Sequence, residues 1–302
     1  MFKQLLVPLD GSALAEVVLP VAAYLAQTLG AKVMLLHVVE RNAPPTVHGE
    51  RHLTNLVEAK AYLTEVTRRA FPADVPVEQH VHTGELGDMA HTIAAHIDEM
   101  KADLIVMCAH GQGGLKRMIV GRIAQQVVAC GSAPVLLIQP DPTGNSPAFA
   151  CRRLLVPLDG DPAHEHGLMV ATDLAQACEA SLYLLTVIPT LGTLPAERAA
   201  AGKLLPAATA ALLDLSQQEA DNYMERWTTQ LRAGGLTMNS QVGRGAPANI
   251  IVQTARQVSA NLIVLGTHGK KGLAAFWADS VAARVISQTR LPMLLVPVGD
   301  AG

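Results

Sequence analysis

The chain says the same thing twice. LLVPLDG stands at Leu5–Gly11 and again at Leu154–Gly160, DLIVMCAHG at Asp103–Gly111 recurs as NLIVLGTHG at Asn261–Gly269, and APVLLIQP at Ala133–Pro140 recurs as LPMLLVPV at Leu291–Val298. The order is preserved, so one supersecondary plan has been used in tandem. The first pair lies 149 residues apart and the other two 158, which puts about nine extra residues into the second copy. The Ala-rich, proline-broken stretch within Thr190–Leu215 is where they fit, and a lid over the second copy's crevice is one expectation for it. Between the copies, PDPTGNSPAFA (Pro140–Ala150) is dense in Pro, Gly, Asn and Ser and reads as a linker. The expected division is a first domain over 1–140, a linker over 141–150 and a second domain over 151–302.

Within a copy, strand and helix patterns alternate. FKQLLVPL is a continuous apolar strand closed by Asp10 and Gly11. Ser12 then suits an N-cap, Leu14, Val17, Val18, Val21, Leu25 and Leu29 recur at helical spacing, and Gly30 stops the helix. KVMLLHVV is a second strand, Leu53–Ala70 a polar-faced helix, VPVEQHVH a short third strand and Gly87–Met100 a helix. DLIVM is the fourth strand, Arg122–Cys130 a short helix and PVLLIQ the last strand. Central strands that are apolar throughout are buried on both faces, which means parallel βαβ units with right-handed crossovers. A composition 50% hydrophobic but only 3% aromatic requires a core of Val, Leu, Ile, Ala and Met, as α/β folds use. Ligands of such sheets sit beyond the carboxyl ends of the strands, so the loops after the first and fourth strands carry the candidate chemistry.

Several function classes are excluded. A net charge of -3 and a pI near 6.4, without a local cluster of Lys and Arg, give no field for nucleic acid. No apolar run reaches the roughly 18 residues of a membrane span, and MFKQLLVPLD enters a strand directly, so neither a membrane nor a signal peptide is expected and the location expected is cytoplasmic. Cys108, Cys130, Cys151 and Cys178 are scattered and read as reduced apolar residues. There is no GxSxG elbow, no Walker loop, no GxGxxG after the first strand and no carboxylate pair beside a nucleophile. No catalytic residue is assigned, and at most a slow hydrolysis is expected. Histidines crowd the first copy; His80 and His82 share a strand face, and His48 and His52 stand one turn apart if their helix begins early. No third ligand has convincing spacing, so no metal is assigned to them.

VPLDGS near the start, CAHGQGGLKR (Cys108–Arg117) after the fourth strand and APVLLI near the end of the copy, each echoed in the second copy, resemble the universal stress protein family in its tandem form. The resemblance implies two tandem Rossmann-like domains, each a five-stranded parallel sheet in the order 3-2-1-4-5 flanked by helices. It also implies pairing through the last strands into an internal pseudo-dimer, with a further homodimer open. Nucleotide-binding members share Gly, two residues, Gly, nine residues, then Gly and Ser or Thr. By that likeness Pro8, Asp10, Ser12 and Val38 border the adenine and ribose side in the first copy, and Cys108, His110, Gly111, Gly114, Gly121 and Arg122 form the phosphate side. The spacing is kept there, but Cys108 replaces the first glycine and Arg122 the hydroxyl residue. In the second copy the counterparts are Asp159, Val187, Gly266, His268, Gly269 and Ser280, and Asp279 replaces the glycine before the serine. Asp161 with Pro162, and Asp279, read equally well as caps of their helices, while Lys270 and Lys271 could offset their charge. Asp10 and Asp159 read equally as turn formers. Two expectations follow: a stress-response regulator holding ATP or another adenine nucleotide, alone or with Mg, mainly in the first copy, or an interaction module whose phosphate loops have decayed and which works without nucleotide.

Overall fold

The computed structural model describes residues 1–39, 45–83, 89–109, 120–130, 132–194, 200, 204–267 and 280–298. The first half runs β1 (Gln4–Pro8), α1 (Ala13–Glu16), α2 (Leu19–Leu29), β2 (Lys32–Val38), a small hairpin of β3 (Thr46–Val47) and β4 (Glu50–Arg51), α3 (Leu56–Ala70), β5 (Val77–His82), α4 (Met89–Met100), β6 (Leu104–Cys108), α5 (Arg122–Cys130) and β7 (Val135–Ile138). The second half runs β8 (Arg153–Leu158), a 3-10 turn (Pro162–His164), α6 (Glu165–Ala177), β9 (Ser181–Ile188), α7 (Pro206–Ala233), β10 (Met238–Arg244), α8 (Pro247–Gln257), β11 (Leu262–Thr267), α9 (Val281–Ile286) and β12 (Met293–Pro297).

Ten strands form one sheet in the order β10-β9-β8-β11-β12-β7-β6-β1-β2-β5. Each half is therefore the parallel 3-2-1-4-5 arrangement, and β12 meets β7 antiparallel, with Met293 opposite Leu137, Leu294 opposite Leu136 and Leu295 opposite Val135. Strand alternation divides the side chains between two cores: Leu5 and Val7 enter one and Leu6 the other. Both cores cross the junction, one through Leu136 and Leu294, the other through Leu137 and Leu295. A buried polar stitch accompanies them. The Gln139 side-chain amide donates to the carbonyls of Ile286 and Thr289 at 3.0 and 2.9 Å, and Arg290 donates to the Pro140 carbonyl at 2.8 Å.

The expected first helix is two. Ser12 caps α1 by accepting from the Ala15 amide at 3.2 Å, Pro20 occupies the first turn of α2, and the chain re-aims at Val17 and Val18. Gly30 ends α2 at φ 61°, where glycine pays no steric penalty. The linker fastens this break: the Ser146 hydroxyl donates to the Val17 carbonyl at 2.7 Å, and Phe149 meets Tyr24 edge-on with centroids 5.5 Å apart. Asp141 folds the linker's start by accepting from the Thr143 hydroxyl and from the amides of Thr143 and Asn145, which holds its carboxyl below the usual range.

The helix expected from Leu53 starts at Leu56, because Asn55 caps it by accepting from the Glu58 amide at 2.9 Å. His48 lies instead in the turn of the β3–β4 hairpin at φ 50°, so His48 and His52 are not one helical turn apart. The extra residues of the second copy lengthen a helix. α7 has 28 residues against 15 in α3; its buried Ala220, Met224, Trp227 and Leu231 hold only the C-terminal half, while Leu204, Leu205, Leu212 and Leu215 are exposed. Residues 195–199 and 201–203 of the expected lid lie outside the described residues. Among the described residues no helix is long and apolar enough to cross a membrane.

Candidate functional site

In the first half the strand ends bring Pro8, Asp10 and Ser12 from β1, Val38 from β2, and Cys108 from β6 to one end of the sheet. The turn after β1 is tightly wound. Asp10 Oδ1 accepts from the Ser12 amide and hydroxyl at 2.9 and 2.6 Å, and Ser12 is fully buried. Gly11 sits at φ 91°, and a Cβ there would stand 2.9 Å from Leu53 Cδ1. Leu53 and Glu50, whose carboxylate accepts from the Ala13 amide at 3.0 Å, thus fold the hairpin segment over this turn. The second carboxylate oxygen of Asp10 has His48 Nε2 at a loose 3.6 Å. One oxygen forms the turn, as the Asp-Gly signal says, and the other faces outward.

Below this turn, His37 is buried and its Nδ1 bonds the Leu9 carbonyl at 2.8 Å; burial lowers its pKa, outweighing that carbonyl and Asp10. Val38 and Val187, at the ends of β2 and β9, pack against the same core, which a half-buried valine does without any ligand. Cys108 is half-buried and its side chain packs against the core on the α1–α3 face, so its bulk is absorbed there.

The chain leaves β6 at Ala109 and returns to it: the Gly121 amide donates to the Ala109 carbonyl at 2.7 Å, and the Gly121 carbonyl opens α5 by accepting from Gln125 at 3.0 Å. The glycine loop therefore begins and ends at one point at the carboxyl edge of the sheet, with exposed Arg122 in the first turn of α5. His110, Gly111 and Gly114 lie outside the described residues, as do His268, Gly269, Lys270, Lys271 and Asp279 in the second half.

The second half spends the same groups on itself. Asp159 Oδ1 accepts from the Asp161 amide at 3.1 Å, and Asp159 Oδ2 pairs with His164 Nδ1 at 2.7 Å. Asp161 caps the 3-10 turn through the Ala163 amide at 2.9 Å, as expected. The expected cap of the last helix is corrected: Ser280, not Asp279, caps α9, its hydroxyl accepting from the Ala283 amide at 3.0 Å. The extended backbone of Ser280, ψ 152°, puts that residue at the N-cap and commits its hydroxyl to the helix. Gly266 is also explained by packing. A Cβ there would lie 3.0 Å from the His164 carbonyl oxygen, and one on Gly167 would lie 3.0 Å from the Gly266 nitrogen, so two glycines let α6 close on β11.

Elsewhere, β5 and α4 gather His80, His82 and His96, with ligand nitrogens all within 4.8 Å of one another, although no third ligand was expected from spacing. Cys151 and Cys178 also meet: the hydrogen bond between them raises the Cys151 thiol and lowers that of Cys178. A shallow depression of 430 Å³ near Asp98, Lys101 and Ser132 lies at the opposite, amino end of β6 and β7, away from these groups.

The family model of the universal stress proteins matches residues 1–139 and again 150–297. The chain belongs to the universal stress protein family. A universal stress protein of Mycolicibacterium smegmatis is 27% identical over 310 residues, covering 97% of this chain and 96% of that one. Universal stress protein MJ0531 of Methanocaldococcus jannaschii is 29% identical over 148 residues, 48% of this chain and 81% of its own length. The crystal structure of a universal stress protein from Archaeoglobus fulgidus shares the fold, with a TM-score of 0.71 at 17% identity, covering 99% of this chain and 98% of that one.

Proposed function

We propose that this universal stress protein is a stress-response regulator that binds an adenine nucleotide, ATP first among them, in the crevice of its first half. The observation that carries the reading is the return of Gly121 onto Ala109, which sets the start of α5, and with it the exposed Arg122, at the carboxyl end of β6. A phosphate there meets a charge able to bind it bidentately and the first turn of α5, whose amides and dipole favour an anion. The outward oxygen of Asp10 suits a ribose hydroxyl, and Cys108 packs toward the core rather than standing as an added obstacle. The donors present fit a nucleotide phosphate; a magnesium ion would arrive on the phosphates, with Asp10 the nearby carboxylate. One solved universal stress protein is a complex with cAMP, which is a property of that protein. The two halves, 1–140 and 151–302 joined by 141–150, would act as an internal pseudo-dimer through β7 and β12, the route by which an occupied first crevice reaches the second half.

A second reading, a module that works by protein contacts without nucleotide, is favoured by one specific observation: Asp159, Ser280 and Gly266 are all engaged within the second half. Native mass spectrometry of protein purified without nucleotide, followed by calorimetry with ATP and magnesium, decides between the two. The expected result is one nucleotide per chain, lost in Gly121→Asp and in the surface variant Arg122→Glu, and kept in Ser280→Ala even though that cap is worth about 1 kcal/mol of stability. No bound nucleotide and no heat at millimolar ATP would leave the interaction module as the function.

A further inference from the structure

The edge strand β5 and the helix that follows it hold a second constellation, independent of the nucleotide reading. His80 and His82, two residues apart on one strand, point to the same face, since the residues that alternate with them turn to the other side, where Val81 packs against the core and Gln79 bonds Thr64 and Thr67 of α3. α4 covers the histidine face and supplies His96, which is 5% exposed. The three rings converge: His96 stands 4.8 Å from His80 and 4.9 Å from His82, centroid to centroid, at 67° and 69°. His96 Nε2 is 3.0 Å from His82 Nδ1.

Glu99, one turn along α4, sets the tautomer. Its carboxylate lies 2.7 Å from His96 Nδ1, and an ionised carboxylate only accepts, so His96 carries its proton on Nδ1 and turns the Nε2 lone pair toward the other two rings. This carboxylate–histidine arrangement is the outer support that metal-bound imidazoles use. Burial and the neighbouring His96 hold the pKa of His80 down, which keeps that ring in the neutral form that a metal requires.

We propose that His80, His82 and His96 form a divalent transition-metal site, zinc being the best match, with Glu99 positioning His96 and the fourth coordination position open to solvent. Three imidazole nitrogens suit zinc or cobalt rather than magnesium or calcium, which demand oxygen ligands. Tetrahedral zinc with bonds of about 2.0–2.1 Å spaces its ligand nitrogens about 3.3 Å apart, so the present separations need only ring rotations. The ion takes the place of the proton between His82 Nδ1 and His96 Nε2, and that proton moves to the other ring nitrogen of His82, so the imidazole remains neutral. It ties the outermost strand of the ten-stranded sheet to α4, holding an edge that would otherwise fray. The second half offers no such donors at the equivalent places. Gln241 stands opposite Leu185 as His80 stands opposite Leu36, Gly243 follows two residues on, and Thr254 precedes β11 as His96 precedes β6.

The test uses the full chain stripped with a chelator and titrated with zinc chloride by calorimetry, and with cobalt(II) by visible absorption. One zinc per chain with a dissociation constant below roughly 1 μM is expected, together with the intense visible bands of four-coordinate cobalt. His80→Gln and His82→Gln, on the half-buried strand, should each weaken zinc about 100-fold and bleach the cobalt bands, and Glu99→Gln should weaken it about tenfold. Exposed His166→Gln in the second half should change nothing. Because His96 is buried, His96→Gln is read only alongside its circular dichroism spectrum, and the two strand variants decide the matter. No saturable zinc binding below about 100 μM, or an affinity unchanged in both strand variants, would overturn the site.

Discussion

The two halves share a strand order and differ in what their equivalent groups touch. At the end of the fourth strand, the first half has Cys108 packed on the core and the second has Gly266 pressed against His164, with Gly167 making room beside it. At the turn after the first strand, Asp10 keeps one oxygen loosely held 3.6 Å from His48, whereas Asp159 is closed onto His164 at 2.7 Å. Under the second strand, the first half buries the titratable His37 and the second buries Thr186, whose hydroxyl donates to Met224 sulfur at 3.2 Å. One backbone plan thus tolerates two solutions to the same packing problem. The second solution consumes the polar groups that a ligand would need.

The largest effect should come from the junction that makes the halves one sheet. Leu137 is fully buried opposite Met293, so Leu137→Ala should cost about 2–5 kcal/mol and shift a single urea transition seen equally by probes in both halves. Two separate transitions, with only the first displaced, would mean that the halves fold independently. Next is the exchange at the fourth strand. Gly266→Cys imports the first half's residue into a space where the His164 backbone already stands 3.0 Å from a Cβ, and should cost about 1–3 kcal/mol by overpacking. The reverse change, Cys108→Gly, should cost about 1 kcal/mol through lost packing and a glycine within a strand. Chemical denaturation of the pair shows whether the two sites are alternative packings.

The smallest effect is a response to acid confined to the first half. The pKa of His37 is lowered in the folded state, so between that value and the ordinary histidine value of about 6.5 the unfolded chain binds the extra proton. Its contribution to stability is complete above pH 6.5 and is lost as the pH falls through the folded value. His80, lowered in the same direction, adds to the slope. His37→Thr, which places the second half's residue in the first, should flatten the urea midpoint against pH between about 7.5 and 5. An unchanged slope would assign the acid response to other groups.

Most strands, the caps at Ser12 and Asp161 and the glycine stop at Gly30 were legible because each is a local matter of periodicity and turn chemistry. The break at Val17–Val18 was not, because apolar residues at helical spacing read the same whether one helix or two carries them, and it is the linker's Ser146 that accommodates the break. The sequence points to Asp279 as a cap of α9, one residue early, because Asp and Ser cap equally well and it is the extended backbone of Ser280 that makes that residue the cap. In the candidate crevice, the residue types and spacing were readable. Which oxygen of Asp10 is spent on the turn, and that Gly266 serves packing, were not.

The sequence by itself determined that the molecule is a duplicated α/β unit and which loops follow the carboxyl ends of its first and fourth strands, because repeats, apolar runs and glycines act over short stretches of chain. The joining of β7 to β12, the closing of His164 onto Asp159 and the meeting of His80, His82 and His96 were decided only in three dimensions. Each depends on elements distant in sequence that are brought together by burial of a shared core, and apolar burial has no direction that a sequence pattern could encode.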